Sequence, residues 1–410
     1  MKRPMEGVRV LEVAQYTFVP ASGGVLAEWG ADVIKVEHAV TGDAQRGLVK
    51  LLGLDIVPGT SFAPIMEGPN RGKRSVGIAL EVPEGRALLD ELIRTADVFV
   101  TNFMPSARAK LRIDLENVRA VNPDIIYVRG TGFGAKGDDA DKGGYDATAF
   151  WARAGSADSV TPVGADALLG MPTGAYGDSI GGMTIAGGIA AALFARERTG
   201  EPSIVDVSLL GVATWATALS VGNALVLGEV AEQPPHDSPM NMPVNPLIGD
   251  YKTKDNRWVT LTMLQPGRYW ADTCRHLGLD HLIEDPRFDS AEKLMANADE
   301  AGAYLGEVFR TKTLAEWREV LATLDGQWAP NQNALELAHD PQVVANGYVL
   351  PVEDAEGHER FLASSPVQFD EEPLELRRAP QFAEHTDEIV TELGRDEEAL
   401  INLKIAGAIT

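Results

Sequence analysis

Residues 8–36, VRVLEVAQYTFVPASGGVLAEWGADVIKV, decide the fold class because a helical stretch stands between two strand-like runs. Val8–Val13 and Asp32–Val36 are rich in β-branched residues, which favour strands. Ala21–Trp29 has helical character, and Gly30 ends it. A strand, a helix and a second strand in this order predict two parallel strands joined by a right-handed crossover.

The same alternation continues through the first half of the chain. The further predicted elements are strands at Arg74–Ala79, Asp97–Val100, Asp124–Val128 and Ser203–Val207 and a helix at Pro83–Arg94. Strands that alternate with helices predict an α/β fold built around a parallel sheet.

The pattern changes in the second half. A long apolar helix is predicted at Leu209–Leu227, and the proline-rich residues Glu232–Pro246 predict an extended linker. Asp250–Met263 predicts a hairpin that turns at Asp255-Asn256, and helical stretches follow it. We therefore expect a second, smaller domain at residues 247–326. The strand-like segments YVLPVED and FLASSPVQF and a terminal helix are predicted after it.

Length and charge limit the possible functions. A chain of 410 residues is longer than one hydrophobic core usually fills, so we expect two domains or one large domain with an insertion. The 60 acidic and 36 basic residues give a net charge of −24, which argues against broad binding to nucleic acids or anionic membranes. An anionic ligand would need a local basic pocket.

The sequence also predicts a cytoplasmic protein. Its single cysteine, Cys274, allows no intramolecular disulfide and suits a reducing compartment. The start of the chain has no apolar run that would indicate a targeting segment. The most apolar stretch, Ile180–Ala195, is shorter than the roughly 20 residues that cross a bilayer, and Asp178 and Arg196 flank it. We expect it to form a buried helix rich in small residues.

A G-x-G-x-x-G motif occurs at Gly132, Gly134 and Gly137, just after a predicted strand. In dinucleotide-binding proteins a helix follows this motif at once, and its N-terminus holds the pyrophosphate. Here the next residues are DDADKGG, which have no apolar face for such a helix. We therefore favour a flexible glycine loop over a nucleotide site.

Two short segments carry cations that could meet phosphates. Asn70–Ser75, NRGKRS, contains Arg71, Lys73 and Arg74, although a solvated turn explains them equally well. Asn102–Lys110 follows a predicted strand, and ligands of open α/β sheets bind at the carboxyl ends of strands. It offers Asn102, Arg108 and Lys110, with the same alternative explanation.

Asp178 is a single carboxylate among glycines, in GAYGDSIGG, at the start of the apolar helix. Glycines leave room for a substrate to approach, and a helix N-terminus stabilises an anion. The alternative is plain N-capping by Asp178 or Ser179.

Capping also explains His385, Thr386 and Asp387 as well as a polar site does. No zinc-protease, α/β-hydrolase or P-loop motif occurs in the sequence, and no metal site is expected.

Many separate segments, in order along the chain, resemble family III CoA-transferases. This family contains formyl-CoA and carnitine CoA-transferases together with the α-methylacyl-CoA racemases. The matching segments are MEGVRVLEVA, GGVLAEWGADVIKVE, TGDAQRG, NRGKRSVGIAL, ADVFVTNFMPSA, NPDIIYVRGTGFG, GGYDA, GDSIGGMTIAGGIAAALFARERTG, NPLIGDYKTKDNRWVTL and RAPQFAEHTDEIVTELG. The ordered set is far more specific than any one of its members.

The resemblance implies an interlocked homodimer whose two chains pass through each other like links. Each chain would have a Rossmann-like large domain formed by residues 1–205 and 327–410. A linker helix and proline-rich connection, 206–246, would lead to the smaller α+β domain at 247–326.

The resemblance also places the catalytic aspartate at Asp178, whose carboxylate would attack an acyl-CoA thioester. The carboxylate must be ionised at neutral pH, so its pKa need not be raised. Coenzyme A enters as a substrate, and no tightly bound cofactor is expected. The residues that would contact CoA are His38, Arg46, Lys73, Arg74, Asn102, Arg108, Lys110, Gly132, Gly134, Tyr145 and Asp146.

The sequence departs from two branches of the family. Phe18 stands where formyl-CoA transferase has a glutamine, and that enzyme's glycine-rich gating loop has no counterpart, which makes formate and oxalate doubtful substrates. Racemases have a histidine where this chain has Tyr145, directly before Asp146. Because inversion of an α-carbon needs two proton carriers, CoA transfer to a free carboxylic acid is favoured over epimerisation. A non-catalytic acyl-CoA-binding protein remains a further alternative.

Overall fold

The computed structural model describes residues 3–51, 54–55, 60, 62–231 and 244–410. The chain divides into two compact units. The first comprises Met1–Ser159, Gly170–Val226 and Pro341–Thr410, and the second Val160–Leu169 and Leu227–Asp340. The predicted small domain, 247–326, lies within the second unit, which continues to Asp340. Most of the predicted linker, residues 232–243, lies outside the described residues.

A six-stranded sheet forms the centre of the first unit, and all its neighbouring strands are parallel, as predicted. The strands in the first half of the chain are β1 Arg9–Val13, β2 Asp32–Glu37, β3 Lys50–Leu51, β4 Leu54–Asp55, β5 Arg74–Gly77, β6 Val98–Thr101, β7 Ile126–Thr131 and β8 Ile204–Ser208. The order across the sheet is β5-β2-β1-β6-β7-β8, and β3 and β4 form a separate short hairpin.

Helices cover the two faces of this sheet. The helices from Phe18 to Leu227, not all of which pack on the sheet, are α1 Phe18–Glu28, α2 Pro64–Asn70, α3 Pro83–Thr95, α4 Pro105–Leu111, α5 Leu115–Val121, α6 Ser156–Val160, α7 Tyr176–Thr199, α8 Leu209–Ala216 and α9 Ala218–Leu227, with a 3₁₀ turn at Ala44–Val49 and a π-helical segment at Asp146–Arg153. Successive strand residues point to opposite faces. Val10 therefore packs with α1 and α7 on one face, and Leu11 packs with α3 on the other.

Helix α7 is the apolar helix predicted from the sequence, and it is buried on one face only. A Cβ on Gly181 would lie 2.3 Å from the Phe18 ring, and one on Gly182 would lie 2.5 Å from Ala21, so these glycines allow α1 to approach closely. Phe194 on the opposite face is 63% exposed. By length and composition α7 could span a bilayer, but core helices pass the same test, and one face of α7 packs against α1 in the core of the first unit. The sequence predicted a buried helix, and the structure buries it only in part.

The predicted helix at Leu209–Leu227 is broken in the structure. Helices α8 and α9 meet at Thr217 with a bend of 71°. The Thr217 hydroxyl donates to the carbonyl of Ala213 at 2.9 Å, a side-chain bond of the kind that bends helices.

The second unit contains a three-stranded antiparallel sheet, and the predicted hairpin is confirmed with Asn256 in the left-handed conformation at its turn. Its elements are β9 Ile248–Lys252, β10 Trp258–Thr262, α10 Pro266–Leu277, α11 Ala291–Ala296, α12 Ala298–Phe309, α13 Leu314–Val320, β11 Trp328–Pro330 and α14 Ala334–Ala338, with 3₁₀ turns at Asp280–Leu282 and Leu321–Thr323.

The C-terminal part of the chain belongs to the first unit. Its elements are α15 Pro341–Ala345, the hairpin β12 Val349–Glu353 and β13 Glu359–Ala363, and the helices α16 Thr386–Glu392 and α17 Glu397–Ile405. The terminal helix predicted from the sequence is thus two short helices. Ile409 then pairs with Ile78, just beyond the edge strand β5.

Candidate active site

A cavity of about 220 Å³ lies at the carboxyl ends of β1, β6 and β7, where ligands of open α/β sheets bind. The loops that follow these strands supply most of its wall, and the first turn of α7 supplies the rest. The lining includes Tyr16, Phe18, Asn102, Phe103, Thr131, Gly132, Lys142, Tyr145 and Asp178. The structure therefore brings Asn102, Gly132, Tyr145 and Asp178 together, although the sequence spreads them over more than 70 positions.

Asp178 stands in the first turn of α7, and its carboxylate has no hydrogen-bond or ion-pair partner among the described residues. The N-cap residue of α7 is Ala175, in the left-handed conformation with φ of 60°, and it makes no side-chain cap bond. The Ser179 hydroxyl donates to the Ala175 carbonyl instead of capping the helix. The N-capping explanation for Asp178 and Ser179 is therefore wrong.

Burial raises the pKa of Asp178 to about 7, and the negative charge of Asp146 adds to this effect. Nothing in the sequence indicated a raised pKa for Asp178, so the structure differs from the expectation at this point. Its reason is physical: a partly buried carboxylate without a cation or hydrogen-bond donor is poorly stabilised as an anion.

Asp146 lies at the start of the π-helical segment and is 8% exposed. Its Oδ1 accepts a hydrogen bond from the backbone N–H of Ala147 at 2.8 Å. Burial raises the pKa of Asp146 as well. Two carboxyl groups with raised pKa values thus lie close to each other beside the cavity, which is a property of functional sites.

Two tyrosines form part of the cavity wall. The rings of Tyr16 and Tyr145 meet edge to face with centroids 5.7 Å apart. The neighbouring Tyr145 hydroxyl raises the pKa of Tyr16, and burial adds to this shift. Tyr16 itself has a left-handed backbone with φ of 66°, and its N–H donates to Asp43 Oδ1 at 3.1 Å.

The glycine loop after β7 is shaped by close contact and not by a nucleotide motif. A Cβ on Gly132 would lie 2.8 Å from the Cα of Gly144, and Gly134 has a positive φ of 106°. No α-helix follows Gly137 directly, because the next helical element is the π-helical segment. The structure thus supports the glycine loop over the dinucleotide interpretation.

Comparison with known proteins agrees with this arrangement. The model of CoA-transferase family III matches residues 5–386. The chain is 30% identical to (R)-2-hydroxy-4-methylpentanoate CoA-transferase of Clostridioides difficile over 98% of both chains. It is 31% identical to cinnamoyl-CoA:phenyllactate CoA-transferase of Clostridium sporogenes, over 97% of this chain and 95% of that one. A CAIB/BAIF family protein from Brucella suis has the same fold, with a TM-score of 0.82 and 27% identity over 96% of this chain and 100% of that one.

The chain belongs to CoA-transferase family III. It is an enzyme that transfers CoA. The resemblance found in the sequence is confirmed over nearly the whole chain.

Several of the cations that were expected to bind CoA phosphates are buried or ion-paired in the structure. Lys73 is the clearest case. The ammonium of Lys73 is fully buried and donates to Glu12 Oε2 at 2.7 Å, to the Pro20 carbonyl at 2.8 Å and to Asn70 Oδ1 at 3.1 Å. An enclosed ammonium with three partners cannot reach a phosphate. The prediction that Lys73 contacts CoA phosphates is therefore wrong.

Arg74 and Arg46 are also engaged in ion pairs. Arg74 pairs with Asp32, Glu388 and Glu392 at 2.7–2.8 Å. Both guanidinium nitrogens Nε and Nη2 of Arg46 bind the carboxylate of Glu37, at 2.7 and 2.6 Å. These arginines have little positive charge left to offer a ligand.

The remaining predicted contacts lie around the same sheet edge. His38 Nε2 lies 2.9 Å from Glu81 Oε1, in a second cavity of about 160 Å³ that shares Phe103 with the first. Arg108 is buried in α4, whereas Lys110 of the same helix is exposed. Asn102 holds the loop after β1, because its amide accepts from Gln15 N–H at 3.0 Å and donates to the Gln15 carbonyl at 2.6 Å.

Lys142, a cation on the wall of the Asp178 cavity, was not among the residues predicted from the sequence. Its side chain is 67% exposed and pairs with Asp139 at 2.5 Å. The signal was a lysine directly before the glycine pair Gly143-Gly144 and directly after the acidic run DDAD. No group of three or more metal-ligating side chains occurs among the residues described.

Proposed function

We propose that this enzyme moves CoA from an acyl-CoA donor to a free carboxylic acid, with the Asp178 carboxylate as nucleophile. The supporting observation is the placement of Asp178: an unpaired carboxylate on the wall of a cavity at the carboxyl ends of the strands. A group that is already hydrogen-bonded or ion-paired would have to lose that partner before attacking.

The proposed reaction has four steps. Asp178 attacks the thioester carbonyl of the donor, and the C–S bond breaks to give a mixed acyl–aspartyl anhydride and CoA thiolate. The thiolate then attacks the aspartyl carbonyl, which releases the donor's acid and leaves an aspartyl-CoA thioester. The acceptor carboxylate attacks this thioester, and the C–S bond breaks to give a second anhydride and CoA thiolate. The thiolate finally attacks the acceptor's acyl carbonyl, and Asp178 leaves as a free carboxylate. Covalent catalysis thus divides one difficult exchange into easier steps.

The raised pKa of Asp178, about 7, is compatible with this role. A carboxylate of higher pKa is a better nucleophile, and about half of it is ionised at neutral pH. We therefore expect the rate to fall below pH 7 as Asp178 becomes protonated.

For CoA binding we retain the part of the predicted set that the structure leaves accessible. The pantetheine arm would pass Asn102 and the backbone of Gly132–Gly134 to reach Asp178, beside Tyr145. Lys142 supplies an exposed ammonium group on the wall of this cavity, and Lys110 supplies another on α4. Lys73 and Arg74 are excluded because their charges are already neutralised.

We also propose the interlocked homodimer, with the large domain assembled from the N- and C-terminal parts of the chain. Helices α8 and α9 expose large apolar side chains that a single chain leaves uncovered. These include Trp215 at 82%, Leu219 at 77% and Val226 at 86% exposure. Contiguous exposed apolar surface of this kind indicates a protein interface. Light scattering coupled to size exclusion should give twice the mass of 44.0 kDa, and a monomer at micromolar concentration would contradict this proposal.

The central experiment screens acyl-CoA donors against carboxylic acid acceptors, and 2-hydroxy acids and aryl-propenoic acids are the first to test because relatives are named for them. Hydroxylamine should convert the covalent intermediate to a hydroxamate on Asp178, which peptide mass spectrometry detects. The Asp178→Ala variant should stay folded and lose turnover and hydroxamate. Unchanged turnover in that variant would exclude Asp178 as the nucleophile.

The same assay separates CoA transfer from epimerisation. An epimerase would introduce solvent deuterium at the α-carbon without any acid acceptor. Tyr145 stands where the racemases have the histidine that carries the second proton, and the pKa of the neighbouring Tyr16 is raised. We therefore expect no deuterium incorporation.

A further inference from the structure

Asp146 is a buried carboxylate whose role the proposed reaction does not explain. Its Oδ1 accepts from Ala147 N–H, and its Oδ2 is buried with no hydrogen-bond partner in the described part of the chain. Leaving a buried carboxylate oxygen unpaired costs stability. A fold that retains this cost has a use for the negative charge at that position.

The charge of Asp146 faces the start of α7. The backbone N–H groups of Ala175 and Tyr176 stabilise its anion, although neither makes a well-formed hydrogen bond to Oδ2. They therefore act on it as dipoles. Because α7 has no side-chain cap of its own, Asp146 supplies the negative charge that a helix N-terminus favours.

Asp178 stands in that same first turn, and few charged groups surround it. Tyr16 approaches from the loop after β1, Lys142 and Tyr145 from the glycine loop, and Tyr176 from its own helix. Asp146 is the described group whose charge acts on Asp178. Lys142 is exposed and already pairs with Asp139, so it offsets this effect little.

We propose that Asp146 is a positioning residue, whose buried and partly unpaired carboxylate fixes the first turn of α7, and with it the Asp178 carboxylate, by its negative charge. This inference rests on the proposed role of Asp178 as the nucleophile. It assigns Asp146 to the helix that carries the nucleophile and not to CoA binding.

The test is the pH dependence of kcat/KM for the acyl-CoA donor, which reports the ionisation of the free enzyme. The part of this profile that falls towards low pH is its acidic limb. In the Asp146→Asn variant the acidic limb should move to lower pH by about half a pH unit or more, because one negative charge beside Asp178 is lost. At pH 8 kcat should fall by about two- to threefold, since a less basic carboxylate is a weaker nucleophile. KM for the acyl-CoA should change less than about twofold if Asp146 does not touch CoA.

Two further variants separate charge from structure. Asp146→Glu restores the charge and should return the acidic limb towards the wild-type position. Asp158→Asn removes one negative charge from an exposed site on α6 and should leave the profile unchanged. An acidic limb that stays in place in a folded Asp146→Asn protein would overturn the proposal, as would a large rise in KM with unchanged kcat.

The experiment distinguishes this inference from the proposed function itself. If the wild-type enzyme forms no hydroxamate on Asp178, the nucleophile is wrong and both proposals fall. If it does and the acidic limb of Asp146→Asn does not move, only the positioning role fails. Asp146→Ser, a smaller neutral residue, replaces the asparagine variant should that one not fold. Failure of both neutral variants to fold would show that Asp146 serves folding, and it would overturn the proposal.

Discussion

Two groups of buried charges lie near the carboxyl end of β1, and they differ in their partners. Glu12 on β1 is fully buried, and its carboxylate binds both Lys73 at 2.7 Å and Lys35 at 3.2 Å. Asp146 and Asp178 have no cation bound to them among the described residues. The charge of a buried carboxylate that binds cations is compensated within the fold. A buried carboxylate without such partners has a raised pKa and is more basic.

The paired group, which we call the Glu12 cluster, comprises Glu12, Lys35, Asp43 and Lys73. Lys35 also pairs with Asp43 at 2.7 Å. Burial lowers the pKa of Lys35, but Glu12 and Asp43 more than offset this, so the net shift is upward. Asp43 in turn accepts from the N–H of Tyr16, so the cluster holds the loop that forms one wall of the active-site cavity.

The largest expected effect is loss of stability when the Glu12 cluster is broken. Glu12→Gln leaves two buried ammonium groups without their shared carboxylate, so the free energy of unfolding should fall by about 3–5 kcal/mol. Urea unfolding followed by circular dichroism measures this change.

Glu388→Gln is the matched control for that measurement. Glu388 pairs with Arg74 at 2.8 Å, but its side chain is 53% exposed, so its loss should cost less than about 1 kcal/mol. Equal effects of the two variants would mean that burial does not distinguish the Glu12 cluster from a surface pair.

The contrast between these groups also shows what the sequence could predict. Each strand or helix depends mainly on neighbouring residues. The parallel sheet and most element positions could therefore be predicted from residues 8–36 and from the strand–helix alternation that continues after them. The burial and ion pairing of Lys73 could not be predicted from its neighbours in the sequence, because its partner Glu12 lies 61 residues away in the chain. A run of cations such as NRGKRS has the same appearance whether it faces solvent or is enclosed.

The place of Asp178 at the start of the apolar helix was predictable from the sequence, whereas the electrostatics around it were not. Asp178 could be singled out because glycines and an apolar helix mark it in the sequence, and the family resemblance gave it a role. Its raised pKa depends on burial and on Asp146, which the fold brings near it from 32 positions earlier in the chain. Lys142 was missed because its loop joins the cavity only once Gly132 and Gly144 are in contact.

The second prediction concerns the unpaired group, where removing a charge should stabilise the protein. Below about pH 4 Asp178 is protonated in both folded and unfolded chains, so its charge costs nothing. As pH rises from about 4 to 7, the unfolded chain ionises first, because the folded pKa is about 7, and the wild type loses stability. Asp178→Asn should therefore gain about 1–2 kcal/mol at pH 8, after allowance for partial exposure, and much less at pH 5.

Thermal or urea unfolding at the two pH values checks this prediction, with Asp158→Asn as the exposed control. A gain of the same size at pH 5 and pH 8 would mean that the asparagine stabilises by packing and not by removal of charge. A loss of stability would show that the Asp178 carboxylate has a structural partner.

The third prediction compares cations. Lys142 is exposed on the cavity wall, unlike the enclosed Lys73. Lys142→Ala should raise KM for the acyl-CoA about fivefold, equivalent to roughly 1 kcal/mol, with little change in kcat or stability. Lys136→Ala, in an exposed part of the same loop that does not line the cavity, is the control. If both variants bind acyl-CoA equally well, Lys142 makes no contact with the phosphates.

The smallest expected effect concerns the backbone of Ala175, at the start of the helix that carries Asp178. Ala175 has φ of 60° and ψ of 25°, a left-handed conformation that glycine adopts more easily than alanine. Ala175→Gly should raise the free energy of unfolding by about 0.5–1 kcal/mol, which is the strain released less the greater freedom of glycine in the unfolded chain. Ala190→Gly, in the middle of α7, should lower it by about 1 kcal/mol, because glycine weakens a helix interior. Opposite signs from the same substitution would place backbone strain at the start of α7, beside the unpaired carboxylates. If Ala175→Gly also destabilises the protein, the turn that carries Asp178 is not held in a left-handed conformation.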